Sequence, residues 1–233
     1  MNELDFYAKV EEILGFDEAK YELYKIFLTE ISNLEFSGFD ALDYGCGSGE
    51  FAKLLTQHFN VKCIDKSKEM VKICTSKGLD AYTKRLDEIN YKFDLITSSF
   101  DVLNYMDKFE LAEFLKSAEA RLKEGGYLMF DLNTLYGFKS IAQGLLHEVD
   151  EEDHLIVDAN FKDDVLTTQM IYFSKNGDMF SKFDGIITQY YHDEMGFDRL
   201  ENLTLVKRVD INLYSDEEAD KVLLIFQKVP KKQ

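Results

Sequence analysis

Three glycines at alternate positions mark the first chemical feature of the chain. Gly45, Gly47 and Gly49 follow Asp43 and alternate with Cys46 and Ser48. Glycines so spaced let the backbone turn sharply and let a ligand approach the main chain closely. A tight turn without a ligand explains a lone loop of this kind equally well. The Gly-x-Gly-x-x-Gly spacing of pyrophosphate-binding turns is broken, because Glu50 stands where the last glycine would be. A phosphate would meet repulsion there, whereas a phosphate-free ligand would be tolerated. Asp65 lies 16 residues beyond Gly49. Its carboxylate can accept two hydrogen bonds from ribose hydroxyls, or it can cap a helix.

Other candidate groups are less decisive. His147, His154 and His192 lie near acidic or loop segments and read as solvated histidines rather than bases. Asn104, Tyr105, Asn133 and Tyr136 follow strands and are candidates to orient a substrate, with packing as the plain alternative. Tyr7 is placed to reach over a ligand, though it and Phe6 could equally be core aromatics. No catalytic residue is assigned. The run Glu148-Val-Asp-Glu-Glu-Asp153 reads as a solvated acidic loop, not a metal site. Cys46, Cys63 and Cys74 are odd in number and form no Cys-x-x-Cys pair, which argues against disulfides and structural zinc and fits a reducing, cytoplasmic setting.

The elements that would position these groups follow from apolar spacing. Residues 6–33 read as one or two helices, with Leu23, Ile26, Phe27 and Ile31 at helical intervals. Residues 39–44 read as a strand, then a helix with Phe51, Leu54, Leu55 and Phe59 on one face. Residues 61–64, 79–83, 93–97 and 127–130 read as four further strands. Helices intervene, one capped by Ser67 and one opened by the Asp107 and Glu110 capping box, running to Lys123 and stopped by Gly125 and Gly126. Such alternation implies a parallel sheet covered on both faces. From His154 to Tyr191 the pattern becomes three strands, with Asn176-Gly177 as a hairpin signal, so these pair antiparallel. A short helix near 193–201 and strands at 204–213 and 221–228 end the chain.

With 233 residues, 45% of them hydrophobic, the chain can bury one sizeable core. No apolar run reaches the ~20 residues of a membrane span, and the start lacks the marks of a signal peptide. The net charge of −17 disfavours a nucleic-acid substrate and suits a small or cationic molecule.

Asp43-x-Gly45-x-Gly47-x-Gly49 with Asp65, then Phe93-Asp-Leu-Ile-Thr-Ser-Ser-Phe100, then Leu122-Lys-Glu-Gly-Gly-Tyr-Leu-Met-Phe-Asp131, resembles the ordered motifs of class I S-adenosylmethionine-dependent methyltransferases. The resemblance covers residues 38–135. It implies a doubly wound, Rossmann-like α/β sheet with a small antiparallel β insert after the fifth strand. The cofactor-binding domain would comprise residues 1–145 and 193–233, with 146–192 as a substrate lid. It also implies S-adenosylmethionine as cofactor. Gly45, Cys46 and Gly47 would lie along its methionine portion, Gly49 would also contact the cofactor, and Asp43 would help organise the loop and the amino group. Asp65, with Lys66 beside it, would bind the ribose. Ser98, Ser99 and Phe100 would contact the methionine end. The family often has an acidic residue after the third strand facing the adenine; Arg85 stands there, leaving Asp87 or the Leu86 backbone for that role. Asn104-Tyr105, the Phe130 to Asn133 segment and the insert are similar to sugar-amine N-methyltransferases and glycine N-methyltransferase relatives. Their His/Arg pattern is absent from Ile186 to His192.

The implied reaction is in-line methyl transfer to an N or O atom of a small molecule, by a monomer or homodimer without a metal. A nicotinamide-dependent oxidoreductase and a non-catalytic cofactor-binding or interaction module are the rivals. The segment after Thr97 also lacks the Asn/Asp-Pro-Pro-aromatic motif of amino-methylating DNA enzymes.

Overall fold

A computed structural model describes residue 10 and residues 13–199 and 202–229. Tyr7 lies outside the described residues. Helix α1 (Asp17–Ser32) precedes strand β1 (Asp40–Tyr44), helix α2 (Glu50–Leu55), β2 (Asn60–Ile64), α3 (Lys68–Ser76), β3 (Asp80–Tyr82) and β4 (Phe93–Ser98). Then come α4 (Lys108–Arg121) and β5 (Leu122–Asn133). Four strands follow as one group: β6 (Gly144–Asp150), β7 (Asp153–Lys162), β8 (Val165–Asn176) and β9 (Met179–Tyr190). The last strands are β10 (Leu203–Ile211) and β11 (Lys221–Lys228).

The main sheet has the order β10-β11-β5-β4-β1-β2-β3. Its parallel core is β5-β4-β1-β2-β3, and β11 enters antiparallel to β5, with β10 antiparallel to β11. Chain order reverses between β1 and β4, so the carboxyl ends of β1, β2 and β4 open onto a crevice where doubly wound sheets bind ligands. The central strands are buried on both faces: β4 shows no exposed residue, and α1 covers one side with Leu23, Phe27 and Ile31. The other side packs on Leu111, Phe114, Leu115 and Ala118 of α4.

Four expectations change. The insert has four strands, not three. Half of the acidic run is strand β6, and only Glu151 and Glu152 form the hairpin turn to β7. Gly125 and Gly126 lie inside the first part of β5, which begins directly after α4 at Leu122, so they bend a strand instead of ending the helix. Finally, β3 is confined to residues 80–82. The insert's inner face packs Leu155, Met170 and Ile187 against Val10, Ile13, Leu14 and Tyr105, so it covers the crevice beside α1. Among the described residues, no helix is long and apolar enough to cross a membrane.

Candidate functional site

The glycine loop leaves β1 and is pulled onto β2. The amides of Gly45 and Cys46 both donate to the Ile64 carbonyl, at 2.7 and 3.1 Å. Gly45 has φ +73°, and a Cβ there would stand 2.3 Å from a Val102 methyl. Only glycine meets both conditions. Gly49 (φ +83°) opens α2, and a Cβ on it would strike Leu79 and the Cys74 sulfur.

Asp65 closes the loop from the other side. One carboxylate oxygen accepts the Gly47 amide at 2.9 Å and the other accepts the Ser67 amide at 2.7 Å. Ser67 in turn caps α3 through the Met70 amide. Asp65 therefore does the helix-entry work that sequence offered as an alternative, and it also lines the cavity. A carboxylate oxygen can accept from more than one direction, so helix entry and ligand binding are compatible roles.

Asp43 lies beneath the loop and is 1% exposed. Its Oδ1 accepts a hydrogen bond from Thr97 at 3.0 Å, while its Oδ2 has no partner. Burial pushes its carboxyl up to about 7, with the nearby Asp65 charge adding to the rise. Asp43 does not line the cavity, but its unpartnered oxygen behind the loop that does suits a neighbour bringing positive charge or a donor.

The opposite wall is built by the turn after β4. Phe100 and Asp101 both have left-handed backbones, φ 64° and 68°. Non-glycine residues hold such angles only under outside constraint. The constraint is Asp131, whose carboxylate accepts the Phe100 amide at 2.6 Å and the Asp101 amide at 3.2 Å. Lys221, 1% exposed, compensates that buried carboxylate at 3.1 Å, donates to Asn133 Oδ1 at 2.8 Å and pairs with Asp101. Burial pulls the Lys221 ammonium down to about 7. Phe100, thus aimed, faces α1, with the Lys20 ammonium 5.8 Å from its ring centre.

The cavity brings together Gly45, Cys46, Gly47, Asp65, Lys66, Ser99, Phe100 and Tyr105 from the sequence-derived set. A second hollow adjoins it through Tyr44, Lys66 and Met106 and contains Arg85, Leu86 and Asp87. Arg85 turns its guanidinium onto Asp87 at 3.0 Å, and Leu86 is buried. Other members of the set stand behind the walls. Ser98 is buried with its hydroxyl on the Tyr44 carbonyl. Asn104 is fully buried, donating to the Tyr190 carbonyl at 2.9 Å and accepting the Asn133 amide at 3.0 Å. Tyr136 bonds Ser215 and Glu217 on the loop before β11. His192 is buried rather than solvated. Its Nε2 lies 3.0 Å from the Met106 carbonyl, and burial lowers its pKa.

Lys20 and Tyr24 were not among the sequence-derived set, yet both line the cavity. A signal existed for Lys20. It shares the helical stripe of Leu23, Phe27 and Ile31, an apolar face where a lysine needs a reason.

A family model described as a methyltransferase domain matches residues 16–164. A solved S-adenosylmethionine-dependent methyltransferase from Clostridium acetobutylicum ATCC 824 is similar over 97% of this chain and 98% of its own, at 25% identity and TM-score 0.78. An amino pentose methyltransferase from Micromonospora echinaspora, solved with S-adenosylmethionine bound, shares the fold at TM-score 0.75 and 14% identity, over 96% of this chain and 97% of its own. A curated relative from Geobacillus sp. (strain WCH70) is 30% identical over 122 residues, 48% of this chain and 49% of that one. The chain spans about half the length of the curated relatives it matches. These likenesses give no support to the nicotinamide reading. Because the family match runs unbroken from the end of the segment before α1, through the glycine loop and β5, to the turn after β7, the chain belongs to the methyltransferase-domain family.

Proposed function

We propose that the chain binds S-adenosylmethionine against the glycine loop and catalyses in-line methyl transfer to an N or O atom of a small molecule. The observation that carries this is Asp65, a carboxylate just after β2 that anchors the loop by one oxygen, holds the Ser67 cap of α3 by the other and lines the cavity. The residues present fit the cofactor's groups. Asp65 suits the ribose hydroxyls. Asp43, with its unpartnered oxygen, suits the neighbourhood of the amino group. Lys20, on the cavity wall with its ammonium over the Phe100 ring, suits the carboxylate. Gly45, Cys46 and Gly47 would run along the methionine portion, with Ser99 and Phe100 at its end. The adjoining hollow at Lys66, Leu86 and Asp87 would take the adenine.

When bound, the cofactor supplies an electrophilic methyl group on its sulfonium. The chain's own work is then alignment and exclusion of water. Tyr24, Phe100, Val102, Tyr105 and Met106 make an apolar, largely aromatic wall, and the inner face of the insert closes above it. Holding an acceptor in line can supply ~7–11 kcal/mol without any covalent step. A neutral amine needs little help from a base, which accords with a cavity wall that carries no histidine among the described residues. The amino pentose enzyme from Micromonospora echinaspora and a sugar N-methyltransferase from Streptoalloteichus share the whole fold, insert included, and make an amino group on a small polar molecule the first acceptor to try. The acidic surface favours a cationic acceptor over a polynucleotide. Three free, buried thiols suit a reducing compartment such as the cytoplasm.

Calorimetric titration of S-adenosylmethionine into the parent protein and Asp65→Ala tests the cofactor reading. The parent should bind, and the variant should lose roughly 1–3 kcal/mol. A parent protein that binds nothing would overturn the proposal. A panel of amino sugars and small amines, assayed for methyl transfer, then tests the acceptor class.

A further inference from the structure

Three cysteines meet behind the glycine loop. Cys46 belongs to the loop, Cys63 to β2 and Cys74 to α3, and they pack into one small cluster with Ala52 and Leu79. Within it the sulfurs of Cys46 and Cys74 stand 3.7 Å apart, in van der Waals contact. The Cys74 thiol also donates to the Gly47 carbonyl at 3.2 Å, so Gly47 is held by Cys74 through its carbonyl and by Asp65 through its amide. Gly49 makes room for this contact, since a Cβ there would stand 2.9 Å from the Cys74 sulfur. The two thiols differ in access. Cys46 lines the cavity, whereas Cys74 is fully buried behind it.

We infer that Cys46 and Cys74 form a reversible disulfide when hydrogen peroxide enters the cavity, and that the bridge pulls the glycine loop off Asp65. On the cofactor reading proposed above, the pair is a redox switch on cofactor binding. The Cys46 sulfur, as thiolate, attacks one peroxide oxygen and the O–O bond breaks. The departing hydroxide takes up the thiol proton as water, and Cys46 becomes a sulfenic acid. The Cys74 sulfur then attacks the Cys46 sulfur, the S–O bond breaks, and the hydroxyl leaves with the Cys74 proton as a second water. The two sulfurs give up two electrons and two protons, and the peroxide takes up both. A disulfide needs its sulfurs ~2.05 Å apart, so this pair must close by about 1.7 Å from its present 3.7 Å. Helix α3 resists that movement. Ser67 caps its start, and the amides of Lys77 and Leu79 hold its last turn on the Cys74 carbonyl. The loop yields instead, because Cys46 sits between two glycines with left-handed backbones. Its shift carries Gly47 along and stretches the 2.9 Å bond to Asp65 beyond hydrogen-bond length. By linkage, whatever the bridge removes from cofactor affinity, bound cofactor removes from bridge formation. A reducing compartment restores both thiols once peroxide is gone.

Peptide mapping of the full chain after hydrogen peroxide treatment should find Cys46 joined to Cys74, lighter by the two thiol hydrogens, with Cys63 still free. Dithiothreitol should reverse the link. In the oxidised parent protein the Gly47 amide, released from Asp65, should exchange with solvent faster than in the reduced one. Neither measurement needs a variant or the cofactor. Calorimetry should then show S-adenosylmethionine binding roughly tenfold or more weakly to the oxidised protein, with recovery on reduction. Saturating S-adenosylmethionine should slow the appearance of the bridge. Cys74→Ala removes the resolving thiol, so peroxide should carry its Cys46 on to the sulfinic acid, which dithiothreitol does not reverse. A peroxide-treated parent with no link, a link to Cys63 instead, an unchanged Gly47 amide, or a bridged form that binds as the reduced form does would each overturn the inference. A reduced parent that binds no S-adenosylmethionine would instead overturn the functional reading and the switch on binding with it, while the map and the Gly47 amide still decide the bridge.

Discussion

At the scale of single residues the site depends on carboxylates placed where water cannot reach. Asp43 shows the consequence most directly. Its folded pKa of about 7 stands above the ordinary 3.8, chiefly from burial. The neutral form therefore belongs to the folded protein. The stability it contributes is fully present below pH 3.8 and is lost as pH rises through about 7. Over that interval the cost of ionising it in place reaches roughly 4 kcal/mol. Asp43→Asn should lose this dependence, so its melting temperature should gain on the parent's between pH 5 and 8. Cofactor binding should have the opposite linkage. A positive group brought near Asp43 favours the carboxylate, so binding near pH 6.5 should release a proton. Calorimetry in two buffers of different ionisation enthalpy would detect it, and identical heats would count against contact between Asp43 and the ligand's charge. The acidic residues of the site were legible because strand ends announce themselves in sequence. Asp43 and Asp65 each end or nearly end an apolar run, and a glycine follows Asp43 within two positions. Tyr24 was hidden because a helix stripe looks the same whether it faces a core or a cavity, and only Lys20, a charge on that apolar stripe, marks the difference.

At the scale of elements, strands with a buried face were readable and those without were not. The last strand was placed at 221–228 from its continuous apolar run, and that is its range. β6 has no buried residue at all, so no alternation marked it, and its carboxylates masked it as a loop. The sheet it edges is joined to the cavity wall by Asn104 as well as by its apolar inner face. Asn104 belongs to the turn that carries Val102 and Tyr105, and it reaches both β9 and the end of β5. Asn104→Ala leaves the Asn133 amide and the Tyr190 carbonyl unmatched, at about 1–3 kcal/mol for each buried group. Asn104→Asp keeps the acceptor for Asn133, and in its protonated form, which burial favours, it can still donate to Tyr190. Denaturant unfolding at pH 5 should therefore rank parent, Asn104→Asp and Asn104→Ala in that order. Equal stability of all three would show that the insert is held by its apolar face alone.

At the scale of the whole molecule the site is assembled from both ends of the described chain. Lys20 of α1 and Lys221 of β11 each place an ammonium within 6 Å of the Phe100 ring centre. No local motif could have revealed that. Lys221 opens a strand 90 residues beyond the Asp131 it compensates, and only the antiparallel entry of β11 beside β5 brings the two together. The family motifs end well before it. Yet Asp131 holds the strained turn that aims Phe100, so the last strand is as much a part of the site as the glycine loop. Lys221→Met should cost about 3–5 kcal/mol, because it leaves Asp101 and Asp131 with no counter-charge in a dry place. If that uncompensated charge is the cause, adding Asp101→Asn should recover part of the loss, even though it deletes a further native group. Thermal unfolding at pH 6, where the Lys221 ammonium with its pKa of about 7 is charged, would separate the two variants. A double variant less stable than Lys221→Met alone would mean that the lysine matters for its packing and hydrogen bonds, and that the charges of the turn are met by other means.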